Sequence, residues 1–189
     1  GWFPLAIATV IFTLLTTWRT GRVLLANNLR DGAIPIEIFL QGLPDINRVA
    51  GTAIFLTSAS EGAPPALLHN LKHNKVMHKN VVLLTVNTLD RPTVAPDERL
   101  RINELGEGFY RIQLDFGYLD DPNVPEALTT HSPSYLPLDP MQTSYFLSRE
   151  TLLPSAAPGM ALWREHLFSW LMRSAASPLD TFHLPPNRV

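Results

Sequence analysis

ALLHNLKHNKVMHKNVVLLTVNT, Ala66 to Thr88, changes its periodicity partway along. Leu67, Leu68 and Leu71 recur at the three- and four-residue spacing of one helix side. Val81 to Thr88, in contrast, is a short apolar run rich in β-branched residues, the mark of a buried strand. The stretch therefore reads as a helix and turn leading into a strand. Upstream, RVAGTAIFLTS (Arg48–Ser58) has the same strand character, and the prolines of APPA (Ala63–Ala66) suit the connector between them. Strand, helix, strand is the order of a parallel crossover unit.

The pattern continues outward. RLRINELGEGFYRIQLDFGYL (Arg99–Leu119) holds two alternating runs separated by Gly106-Glu107-Gly108, which predicts a hairpin turning on the two glycines. PNVPEALTTH (Pro122–His131) carries a short helix signal, with Asp120 and Asp121 placed to cap it. TSYFLSRETL (Thr143–Leu152) returns to strand character. GMALWREHLFSWLMRSAA (Gly159–Ala176) sets Met160, Trp163, Leu167, Trp170 and Leu171 on one helix side, with Leu162, Phe168 and Met172 widening it, the face expected to pack on the core. The expected fold class is α/β: a mixed sheet with flanking helices over residues 48–189.

GWFPLAIATVIFTLLTTW, Gly1 to Trp18, differs in kind, because it has no charged side chain. As a helix it would be about 27 Å long, close to the hydrocarbon thickness of a bilayer. Trp2 and Trp18 stand at its ends and Arg19 and Arg22 follow, so residues 1–18 read as a transmembrane helix whose charged side is cytoplasmic. A secretory signal would place its charges before the apolar run rather than after it. Residues 19–47 form a helical connector that exits the membrane, turns at Asp31-Gly32 and makes a second short amphipathic element near Pro35–Leu43. Position 1 is glycine, from which we expect a longer polypeptide upstream.

Composition narrows the chemistry. Fifteen basic and seventeen acidic residues give a formal charge of -2, so no global field favours nucleic acid, and any basic site is local. The chain has no cysteine, which excludes disulfide scaffolds, thiolate zinc sites and cysteine nucleophiles.

Local signals gather in LLHNLKHNKVMHKN (Leu67–Asn80), which holds three of the six histidines. His69 and His73 stand four apart and would share a helix face, the geometry of two zinc ligands. No glutamate follows His69 as in a zincin motif, and Lys72 and Lys75 add positive charge, so no metal is expected. The same lysines, with Lys79, suit phosphate oxygens better, although no glycine-rich phosphate loop accompanies them. No G-x-S-x-G elbow, P-loop or triad spacing is present, and no catalytic residue is assigned. Three readings stand: a regulatory or assembly domain, a nucleotide-binding module, and a small membrane-anchored hydrolase.

GWFPL with FTLLTTW, GTAIFLTS, LLHNLKHNKVMHKNVVLLTV, LGEGFYRI, DPMQTSYFLSRETLLPS, PGMALWREHLF and LPPNRV, in that order, resemble the C-terminal part of the bacterial Kup-type potassium uptake transporters of the KUP/HAK/KT family. The resemblance covers nearly the whole chain. It implies a K⁺ uptake transporter, a K⁺/H⁺ symporter of the inner membrane, multi-pass in its full length. Residues 1–18 would be its last membrane helix, and the part from Arg48 its cytoplasmic domain, with a universal-stress-protein-like α/β fold. It implies the membrane-embedded core of the same transporter as partner, a homodimer, and regulation by an adenine nucleotide or cyclic dinucleotide. No resident cofactor is implied, and K⁺ would bind outside these residues. The candidate regulatory anion surface is Lys72, His73, Lys75 and Arg149. One departure is Ala50, where members of the family usually carry proline before GTA, a change expected to alter one loop.

Overall fold

The structure is a computed structural model that describes residues 1–31, 34–43, 46–58, 62–133, 135, 136, 138–148, 159–175 and 177–189. In chain order the helices are α1 (Trp2–Asp31), α2 (Ile36–Gln41), α3 (Pro65–Asn74), α4 (Val124–His131), α5 (Leu162–Ser174) and α6 (Pro178–Thr181). The strands are β1 (Asn47–Leu56), β2 (Val76–Leu89), β3 (Leu100–Gly106), β4 (Phe109–Gly117) and β5 (Thr143–Leu147). These elements fall into two units, one of Gly1–Gly32 with Arg149–Ala176, the other of Ala33–Ser148 with Ser177–Val189.

The second unit is built on a five-stranded sheet in the order β3-β4-β2-β1-β5. β1 runs parallel to β2 and β5, and β2 parallel to β4, while β3 returns antiparallel to β4. The crossover β1-α3-β2 and the Gly106–Gly108 hairpin are both as read from the sequence, and the fold class is α/β with a mixed sheet. Val82 and Leu84 of β2 face one layer with Ile54, Ile112, Leu114 and Leu128, whereas Val81 and Leu83 face the other with Phe39, Phe55, Leu67 and Phe109. Burial on both faces is why the strand reads as an unbroken apolar run rather than an alternating one.

β2 begins five residues before that run. Lys75 alone makes the turn, in the left-handed conformation at φ 53°, and Val76 already pairs with Asn47. Met77 is buried while Lys79, two residues on along the same face, is exposed, so VMHKN shows no period-two alternation that would mark it as strand. On β1 the register shifts between Val49 and Thr52. Gly51 stands there at φ +102°, and a Cβ on it would lie 2.6 Å from the Gln142 carbonyl oxygen. Ala50 therefore lies in a bulge inside β1, not in a loop; bulges are among the few sheet positions that admit proline.

Asp120 does not cap α4. Its Oδ2 accepts the backbone N–H groups of Gly117 (2.8 Å) and Val94 (2.9 Å), and Arg99 reaches its Oδ1 at 3.0 Å, which staples the segment before β3 to the end of β4. These backbone donors first, and the Arg99 charge after them, lower the Asp120 pKa. Asn123 is the cap instead, accepting from Glu126 N (3.2 Å) and donating back to the Glu126 carboxylate (2.9 Å).

In the first unit α1 continues well past Trp18, and Trp2–Asn28 is long and apolar enough to cross a membrane. Only 6% of its most apolar window is buried, which separates it from a soluble core helix. The hydroxyls of Thr9, Thr13 and Thr16 donate to carbonyls one turn back at 2.7–2.8 Å, so they present no unpaired donor to an apolar medium. α5 packs on the charged end of α1. Gly21, lacking a Cβ, leaves a notch filled by the Phe168 ring, which also meets Trp18 edge-on at 5.8 Å. Arg164 Nε donates to Thr17 Oγ1 at 3.0 Å. Only part of the expected face is buried: Phe168 is covered, with Ser169 beside it, whereas Trp163 and Trp170 are 59% and 56% exposed. Apolar residues occupy most of the circumference of this helix, and the notch at Gly21 decides which side is used.

Candidate functional site

The polar groups worth testing lie at the amino ends of the parallel strands. α3 runs back along the sheet, so its last turn, with Lys72, His73 and then Lys75, reaches the edge where β2 begins. All three side chains are exposed. They stand at the negative end of the helix dipole, where cations complement the unsatisfied carbonyls, and that placement disfavours an anion at the same spot. Arg149 lies outside the described residues. The strand before it, β5, is parallel to β1 and ends at the carboxyl edge, opposite the last turn of α3.

The three histidines of the motif do not converge. The His69 and His73 rings are edge-on at 6.2 Å on the exposed side of α3. His78, on β2, packs against Phe146 at 6.2 Å, with its Nδ1 buried and, among the described residues, without a hydrogen-bond partner. Burial lowers the His78 pKa. Among the described residues no group of three His, Asp or Glu could hold a metal. The histidine cluster thus gives the hydrolase reading no geometric basis.

Beside this edge is an open cleft of about 650 Å³ lined by Arg48, Lys79, Asn80, Glu107, Gly108, Tyr110 and Tyr135. Arg48 closes its floor, donating to the carbonyls of His78 and Glu107, each at 3.2 Å, with its guanidinium 5.4 Å from the Phe109 ring. Gly108 permits this closeness, since a Cβ there would lie 2.5 Å from the Lys79 carbonyl oxygen. The rings of Tyr110 and Tyr135 are 6.3 Å apart, and burial first, then Glu104 and Tyr135, raises the Tyr110 pKa. Chemically the cleft offers an ammonium, a guanidinium engaged with carbonyls, and a carboxylate. That mixture suits polar recognition and contains no nucleophile beside a base. Sequence reading missed this cleft because its walls come from a strand start, a hairpin turn and the loop at Tyr135, which share no period. The close approach at Gly108 was the one local signal.

A family model described as the K⁺ potassium transporter C-terminal domain matches residues 50–189, the sheet and α5 together. The chain belongs to that family. Along its whole length, this potassium transporter C-terminal domain with its preceding helix is 51% identical to the "Probable potassium transport system protein Kup 2" of Rhizorhabdus wittichii, covering 30% of that relative. It is 52% identical to "Probable potassium transport system protein Kup 1" of Novosphingobium aromaticivorans and 49% to "Probable potassium transport system protein Kup" of Myxococcus xanthus, covering 29% of each. The transporter domain thus spans under a third of the length of these curated relatives. No solved structure matches it.

Proposed function

We propose that this chain is the carboxyl-terminal, regulatory and assembly portion of a K⁺ uptake transporter of the inner membrane. α1 is its last membrane helix, the sheet unit faces the cytoplasm, and the ion path lies in helices outside these residues. The observation that carries this reading is identity of 51% over the whole chain to a relative named for potassium transport. Arg19 and Arg22, directly after the apolar stretch, support the cytoplasmic side by the positive-inside rule. The domain performs no catalysis in this reading. Its partner is the membrane-embedded core of the same transporter, met through the basic edge at Lys72, His73 and Lys75.

The test uses the intact transporter in a bacterium lacking its own K⁺ uptake. Intact protein restores growth at low K⁺ and accumulates rubidium; failure to move either ion overturns the reading. The triple variant K72E/H73E/K75E, exposed and outside both core layers, is expected to insert normally and lower the uptake rate. Unchanged uptake would remove this edge from regulation. Calorimetry with ATP and cyclic di-AMP on the purified chain decides whether a nucleotide acts there.

A further inference from the structure

All four tryptophans of the chain, Trp2, Trp18, Trp163 and Trp170, lie in the unit made of α1 and α5, and the sheet unit has none. Trp2 and Trp18 bracket the apolar stretch of α1. Trp163 and Trp170 stand seven residues apart, two helical turns, and so share a face of α5. That face is turned away from α1, because Arg164 and Phe168 occupy the side toward it. Two indoles more than half exposed on thirteen residues leave an apolar surface that none of the described residues covers.

The depth at which α5 is fastened says what covers it. Its anchors on α1 are Thr17, Trp18 and Gly21, where the apolar stretch gives way to Arg19 and Arg22. A helix held at that level of a membrane-spanning helix is held where hydrocarbon meets headgroups. Indoles favour this zone, and Arg19, Arg22 and the Arg173 of the last turn of α5 suit lipid phosphates. We propose that α5 lies in the membrane–water interface beside α1, with Trp163 and Trp170 immersed at the headgroup–acyl boundary of anionic lipid. The proposal rests on α1 crossing the bilayer.

The two readings are separable with two variants of the chain in vesicles of equal parts phosphatidylcholine and phosphatidylglycerol, containing lipid brominated either near the headgroup or near the chain end. W2F/W18F leaves Trp163 and Trp170 as reporters and keeps a ring beside Phe168; W163F/W170F leaves the pair on α1. We expect W2F/W18F to show blue-shifted emission that shallow bromines quench strongly and deep bromines weakly. Emission unquenched by either lipid, with W163F/W170F quenched, overturns the interfacial position of α5 while α1 still spans. A blue shift without quenching means a protein surface covers these indoles and also overturns it. If neither variant is quenched, the spanning helix fails and the proposal fails with it.

Discussion

Asp115 and Arg101 form a pair whose two ends stand in different media. The Asp115 side chain on β4 is 2% exposed, whereas its partner Arg101 on β3 is 64% exposed. One carboxylate oxygen accepts from Asn87 Nδ2 at 2.8 Å and the other pairs with Arg101 Nη2. R101A strips a buried carboxylate of its charged partner. Breaking a fully buried pair costs about 3–5 kcal/mol and orphaning a neutral buried acceptor about 1–3 kcal/mol. Water reaching the vacated, mostly exposed arginine position places the expected cost near 2 kcal/mol, toward the lower range. D115A returns the arginine to water at little cost and leaves only the Asn87 amide short of an acceptor, about 1 kcal/mol, partly offset by removing a desolvated charge. The exposed residue is therefore the more damaging one to remove, the reverse of a ranking by burial. The double variant should match D115A alone, giving a coupling of about 2 kcal/mol. Urea unfolding followed by far-UV circular dichroism reads this directly. With a urea slope of about 2 kcal/mol/M, R101A lowers the midpoint by about 1 M and D115A by about half that. A larger loss for D115A than for R101A, or simple additivity in the double variant, would show that the Arg101 charge does not sustain the buried carboxylate.

Other consequences are as direct. The lowered Asp120 pKa means that its stabilising contribution is complete above the ordinary carboxylate value of 3.8 and is lost as pH falls through the folded value; D120N should flatten this acid limb of the stability curve. His78 has the opposite protonation preference from a salt-bridged histidine: its folded pKa lies below 6.5, so stability falls as pH drops from 6.5 toward that value. NMR titration of the His78 ring should give a midpoint below 6.5, and a midpoint at or above 6.5 would contradict its burial. Tyr145, pushed up to about 12 by burial, should be the last tyrosine to ionise in an ultraviolet titration. G21L fills the notch beneath Phe168, so hydrogen exchange of the α5 amides should quicken by at least tenfold, equivalent to about 1.4 kcal/mol, with β2 and β4 unaffected.

The sequence made the sheet unit legible where one chemical rule governed a segment. Val81–Thr88 is apolar because both its faces are covered, and Gly106–Gly108 turns because all three residues take positive φ. It misled where a choice was tertiary. The circumference of α5 offers several apolar sides, and the missing Cβ of Gly21, 147 positions earlier in the chain, selects Phe168. Asp120 sits where a cap is wanted, yet the backbone donors of Val94 and Gly117 claim it. At the candidate site the exposed Lys72, His73 and Lys75 were readable because they close a helix, while the Arg48 cleft was not, its parts being brought together by the pairing of β2 with both β1 and β4 and by the loop at Tyr135.

Because α5 is fastened to α1 while β1 through β5 lie between them in the chain, the sheet unit is in covalent terms an insertion, with the tail from Ser177 returning to it. The chain therefore passes from one unit to the other three times, after Gly32, after Ser148 and after Ala176. A truncation placed after Asp31 removes more than the sheet unit. It also bares Thr17, which is fully buried, and empties the notch at Gly21. Lost uptake in such a truncation would report an uncovered membrane helix as readily as lost regulation; excising residues 33–148 while keeping α5 separates the two.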